Sequence, residues 1–307
     1  NVAVSAGTSV ASTGGSIFLQ GGQSTATSSG SLSMITSDAG NSGVSGSLTF
    51  ATGTTSNGAS GALLLSTGNA NNGASGEIVL SAGNSVGNIG GNIVAHGGGS
   101  TSSTGGDISL SSGIGSSSSS GSVVLKSQNA GVAGSSGELR FRSGTTSCGA
   151  SGMLSFMSGD AINGESGTIT FKVGISSEKL GGNIIVNGGS SSVSTGGYIN
   201  MVSGTSTSKS SGFISVSTSN SGTNGVSGSI SFTTGTTSSG SSGKISISSG
   251  SATGGKGGEI MFSVGTGNTG SGGNVYVRSG DAIQTGQLGG GIYVHGGASA
   301  SGDGGGI

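Results

Sequence analysis

Every fifteen residues or so the chain returns to one phrase, small-Gly-x-aliphatic-x-apolar-x-small-Gly. Ser45-Gly46-Ser47-Leu48-Thr49-Phe50-Ala51-Thr52-Gly53 is one copy, and Ser60-Gly61-Ala62-Leu63-Leu64-Leu65-Ser66-Thr67-Gly68 is the next. The first apolar slot is never broken. It reads Ile17, Leu32, Leu48, Leu63, Ile78, Ile93, Ile108, Val123, Leu139, Leu154, Ile169, Ile184, Ile199, Ile214, Ile230, Ile245, Ile260, Val275, Ile292 and Ile307. The second slot, two residues on, is always apolar, as at Leu19, Phe50, Leu65, Leu80, Leu110, Phe141, Phe156, Phe171, Val186, Phe232, Ile247, Phe262, Val277 and Val294. A fixed period of this kind marks a stacked array rather than a conventional globular domain.

Alternation of apolar and polar residues over five positions is the period-2 signature of a strand with one buried face. In Gly228-Ser229-Ile230-Ser231-Phe232-Thr233, Ile230 and Phe232 point one way and the hydroxyl residues the other. The intervening segments, such as Thr236-Thr237-Ser238-Ser239-Gly240-Ser241, hold almost no large apolar residues and suit tight arcs. Helical periodicity is absent, and glycine-rich stretches are poor helix formers. One strand with two apolar side chains makes no core alone, so neighbours must stack to make it. The pattern therefore predicts an all-β fold, a β-solenoid (β-helix-like) of about twenty 15-residue repeats in which the slot residues form a ladder. Residues 1–307 are expected to form a single continuous repeat array, a segment of a longer chain, because the sequence opens and closes in mid-repeat.

A longer period underlies the short one. Ser29, Ser120 and Ser211 each open a sixteen-residue variant and stand 91 residues apart. The repeat that follows carries Thr54, Thr145 or Thr236 with Phe50, Phe141 or Phe232 in register. A Gly-Gly-Asn column holds Asn92 and Asn183, and the third block is expected to be lengthened by one repeat around Asn274 to Leu288. This 91-residue super-period is either the trace of duplication or the sign that equivalent Thr and Asn columns lie above one another. Coils of 15, 30 or about 91 residues all satisfy it.

Composition separates an ordered array from a flexible linker. Glycine supplies 72 of the 307 residues, only 6% are charged and the net charge is -1. Glycine- and serine-rich chains are commonly disordered. Such chains have no reason to keep an aliphatic residue at one slot through twenty repeats, and they are usually rich in proline, of which this chain has none. Proline lacks an N–H and is excluded from paired strands. The near-neutral charge gives no attraction to nucleic acid or an anionic membrane surface. No apolar run approaches the roughly twenty residues of a membrane helix, so no membrane insertion is expected.

Chemistry-bearing residues are few and scattered. Asp107, Glu77, Glu138 and Glu259 fall in outward positions at the start of strand segments, where a solvated side chain is expected. His96 and His295 share a slot, but Asn187 stands in the intervening copy, so no histidine row exists to hold a metal. Gly-Asp sequences at 106–107 and 159–160 are fragments of a calcium-binding nonapeptide pattern, which needs an Asp in nearly every repeat. Arg140 and Arg142 flank Phe141 as a polar row. The Gly-x-Gly patterns carry no dinucleotide signal, since no helix follows them. The expectation is no enzyme, no catalytic residue, no cofactor and no metal. Cys148 is the single cysteine and cannot form an intrachain disulfide. No Asn-x-Ser/Thr sequon is present, which leaves O-linked glycans on the hydroxyl rows as the glycan partner to expect.

In the style of its repeat, the chain resembles glycine- and serine-rich repeat proteins of microbial and protist cell surfaces: fibres, adhesin stalks and flagellar hairs. That resemblance implies an extracellular or cell-surface structural filament, with further copies of the chain as its partner. The alternative is a surface-adsorbing protein, an adhesin stalk or an ice-binding solenoid, whose Thr-rich face would be the working surface. The Thr pairs recur once in six repeats rather than in every one.

Overall fold

The computed structural model describes residues 2–307, and among these there is no helix, no strand and no sheet. The all-β solenoid expected from the period is therefore not what the chain forms. A solenoid needs the same slot of successive coils set about 4.8 Å apart, so that backbone groups pair along a ladder. Here the longer-reaching backbone bonds close arcs within one repeat instead, and no backbone bond joins one apolar segment to the next as a ladder would. The chain divides into two units, Asn1–Ser155 and Phe156–Ile307.

Each unit is built from the same alternation of apolar segment and polar arc. In the first unit, Gly15 donates its N–H to the Gly7 carbonyl at 2.8 Å and Gly30 donates to Gly22 at 2.8 Å. The arcs from Gly83 to Gly91, Gly98 to Gly106 and Gly113 to Gly121 close in the same way. The second unit has closed arcs from Gly189 to Gly197, Gly204 to Gly212, Gly280 to Gly290 and Gly297 to Gly305.

A β-branched residue just before the opening glycine goes with an open arc. Closed arcs have Gly21, Gly97, Gly188, Gly296, Ala6, Ala82, Ser112, Ser203 or Ser279 at that place. Where the residue is β-branched (Thr52, Thr67, Val173, Thr234 or Val264) the bond is missing. The branched carbon occupies the mouth: a Cβ on Gly182 would lie 2.8 Å from Val173 Cγ1, and one on Gly273 would lie 2.8 Å from Val264 Cγ1. Serine occurs before open arcs as well, at Ser143, Ser158 and Ser249, and nothing in the structure separates these from the closed ones. With no side chain at the mouth the backbones come closest. A Cβ on Gly188 would lie 2.6 Å from the Gly197 carbonyl oxygen.

Two kinds of turn cross the top of the arcs. In the first, a serine two residues past the opening glycine accepts the N–H three residues on. Ser9, Ser100 and Ser191 accept from Ser12, Ser103 and Ser194 at 3.0, 2.9 and 2.9 Å. Ser85 and Ser176 accept from Asn88 and Lys179 at 3.0 and 3.1 Å. This is the local side-chain-to-backbone bond that lets Ser compete with regular structure. In the second kind a threonine takes that place and a glycine with positive φ follows: Gly58 (118°), Gly149 (108°) and Gly240 (103°). Thr146 Oγ1 donates to the Cys148 carbonyl at 3.0 Å, and Thr237 Oγ1 to the Ser239 carbonyl at 2.9 Å.

These turn types recur at the 91-residue step, as Ser9, Ser100 and Ser191 or Gly58, Gly149 and Gly240 show. The super-period is thus written into local turn chemistry. The expected extra repeat is also corrected. Asn92, Asn183 and Asn274 follow at even steps (183 − 92 and 274 − 183), so Asn274 opens a fourth block. What is longer is the arc from Gly280 to Gly290, where Gln287 donates to the Gln284 carbonyl at 3.3 Å and Gly286 has φ 84°.

No side chain among the described residues is buried, apolar or polar. The chain exposes 30051 Å². A globular monomer of its 28.3 kDa would expose about 11,000 Å² and the unfolded chain about 41,000 Å². One copy of the chain has no hydrophobic core.

Candidate functional site

Several apolar segments show the alternating exposure of an extended chain, although no strand is formed among the described residues. Leu63, Leu64 and Leu65 are 59%, 82% and 66% exposed, and Val123, Val124 and Leu125 are 55%, 72% and 55% exposed. In both segments the two slot residues are shielded on one side and the residue between them stands in solvent. That is the alternation of an extended chain. First-slot residues from Ile17, Leu48, Ile78 and Ile108 through Leu139, Leu154, Ile169 and Ile184 to Ile245, Ile260, Val275 and Ile292 share this half-shielded state, whereas second-slot residues such as Leu80, Leu110, Phe232 and Phe262 are more exposed.

One pair shows where the shielding comes from. Phe156 and Phe171, second-slot residues of successive repeats in the second unit, meet edge-to-face with ring centroids 6.4 Å apart at 90°. That lies in the favoured range for aromatic pairs. These two segments therefore face each other through their second-slot side chains.

The polar columns behave differently from one another. Thr54, Thr145 and Thr236 lie one residue before the turn-forming position, and it is Thr146 and Thr237 that make the turn bonds. Asn92 and Asn183 are exposed, and in the same column Asn274 donates through Nδ2 to the Tyr276 hydroxyl at 2.8 Å. Cys148 is exposed within its turn, its N–H donating to Thr146 Oγ1 at 3.3 Å.

The titratable groups are not gathered. No cavity is present, and among the described residues no three His, Cys, Asp or Glu side chains are placed to share a metal ion. Charges meet only in local pairs: Arg140 with Glu138 at 2.6 Å, Lys256 with Glu259 at 2.9 Å, and Arg278 with Asp281. The hydrogen bond to Glu138 holds the Arg140 guanidinium above its usual pKa, against a smaller opposing effect of desolvation. Exposed pairs of this kind contribute little to stability. Their effect is to neutralise charge locally in the three segments that hold them.

No helix among the described residues is long and apolar enough to cross a membrane. No protein family, curated protein or solved structure matches the chain.

The sequence did not point to the residue before each arc. Ala82, Val173 and Val264 occupy equivalent places at the 91-residue step, and the swap of Ala for Val there is the signal that an arc changes from closed to open.

Proposed function

We propose that the protein is a structural component of an extracellular filament or fibre, assembled from many copies of itself. The observation that carries this is the regular row of half-shielded apolar segments, one in every repeat, on a chain with no buried side chain of its own. Leaving that much apolar surface in water is unfavourable at about 25 cal/mol per Å². Monomeric soluble proteins rarely present contiguous apolar patches beyond a few hundred Å². A chain that repeats the patch twenty times gains most by meeting further copies of itself.

The sparse charge supports the same conclusion. With nine basic and ten acidic residues, copies neither repel one another nor attract a highly charged partner. The absence of proline leaves every segment able to donate its full set of N–H groups to a neighbour. Hydroxyl side chains on the arcs solvate the outside of such a fibre and offer sites for O-linked sugars.

Electron cryomicroscopy of native material tests this proposal. Long unbranched filaments are expected. Discrete particles of a single copy at all concentrations would overturn it, and adsorption to ice or glycan surfaces would then be the property to measure.

A further inference from the structure

Resting on the filament proposal, we infer that copies join in parallel and in register, each apolar segment pairing with the same segment of the copy above and below. The occupant of the exposed segment edges is a second copy of this chain with zero offset. Three observations converge on it.

The first is geometric. Phe156 and Phe171 of successive repeats meet edge-to-face, so at that place slot side chains shield each other within one chain. In a segment such as 183–187 the backbone donors and acceptors make no bond to another segment. Such a segment can take backbone partners from further copies along both of its edges, which allows an open-ended stack rather than a closed dimer. The strand spacing in such a stack is about 4.8 Å.

The second is area. The chain exposes 30051 Å², about 19,000 Å² more than a globular protein of its mass. A stable complex buries only about 800 Å² on each partner. The available surface exceeds that by more than tenfold.

The third fixes the register. An offset of 91 residues would match most turns but not all of them. It sets the closed arc of Gly83 and Gly91 on the open arc of Gly174 and Gly182, where Val173 blocks the mouth. It also sets the long arc of Gly280 and Gly290 on the shorter arc of Gly189 and Gly197, which breaks the match for everything beyond. Only zero offset superimposes every arc on its own kind. Like charges then fall directly over one another, which is destabilising in paired strands. Nineteen charges in 307 residues, three pairs of them neutralised within the chain, keep that penalty small.

Cys148, exposed and unique, supplies the probe without any substitution. A nitroxide spin label placed there should give, in assembled filaments, a single exchange-narrowed line, because labels on successive copies lie about 4.8 Å apart. Assembly with a tenfold excess of unlabelled Cys148→Ser chain should restore three lines. The same collapse is expected for a Cys148→Ser, Ser239→Cys chain labelled at the new position, which guards against local distortion at one turn. Filaments that keep three resolved lines at both positions overturn the in-register arrangement while leaving the filament proposal standing. A chain that does not pellet or form filaments overturns both.

Discussion

Val173 lies across the mouth of its arc, its Cγ1 2.8 Å from where a Cβ on Gly182 would stand, and Gly182 makes no bond to Gly174. At the equivalent place in the first unit stands Ala82, and there Gly91 donates its N–H to Gly83 at 2.9 Å. In this pair of equivalent arcs the branched side chain goes with the open arc and alanine with the closed one. Val173→Ala should let Gly182 close onto Gly174, and Ala82→Val should open the Gly83 arc. A single exposed hydrogen bond contributes about 0.5–1.5 kcal/mol, so amide exchange should slow about 2- to 10-fold at Gly182 and quicken by as much at Gly91. Unchanged exchange at both would show that the branch is not the cause.

Gly149 has φ 108°, which side-chain-bearing residues rarely adopt, whereas a Cβ on Gly144, at the start of the same arc, would meet nothing within 4 Å. Gly149→Ala should therefore cost about 1 kcal/mol or more per copy, and Gly144→Ala close to nothing. Denaturant titration of assembled material measures the difference. Equal midpoints for the two variants would contradict the assigned turn.

Ser191 accepts the Ser194 N–H at 2.9 Å and anchors a turn that recurs at Ser9 and Ser100. Ser191→Ala removes the acceptor while leaving the donor open to water. Exchange at Ser194 should quicken by a few fold, with no effect at Ser103, whose own partner Ser100 is untouched.

Ile184 is 60% exposed in the single chain, so its replacement disturbs no core. Ile184→Lys should leave the circular dichroism of the dilute chain unchanged. In a stack it removes roughly 1.5–3 kcal/mol of burial per copy and sets like charges over one another, so filament yield should fall sharply. Tyr198→Lys, a change at an outward position with 89% exposure, serves as the comparison and should be tolerated better. Equal loss from both would mean that assembly does not use the slot face.

The alternation of shielding at Leu63, Leu64 and Leu65 follows from the order of residues, whereas at Ile78, Val79 and Leu80 the second slot is the most exposed of the three. The arcs were legible as arcs, and the 91-residue step as a step. What could not be read was where each segment's backbone partners lie, because Ile169 or Ile184 pairs with equal chemical sense to another repeat or to another copy. The sequence period is the same in both cases, and among the described residues the single chain forms no strand and so no intrachain solenoid. The turn types were missed for a smaller reason. Thr145 and Thr146 differ by one place, and only the backbone geometry at Gly149 reveals which of them makes the bond.

The central claim is that backbone pairing arises between copies and not within one. Infrared spectra in the amide I region, recorded on the chain from high dilution up to the filament state, test it most directly. The account predicts little sheet absorption in the dilute chain, a rise with concentration, and a reflection near 4.8 Å from aligned filaments. A dilute single copy that already carries the full sheet band, unchanged on concentration, would contradict it.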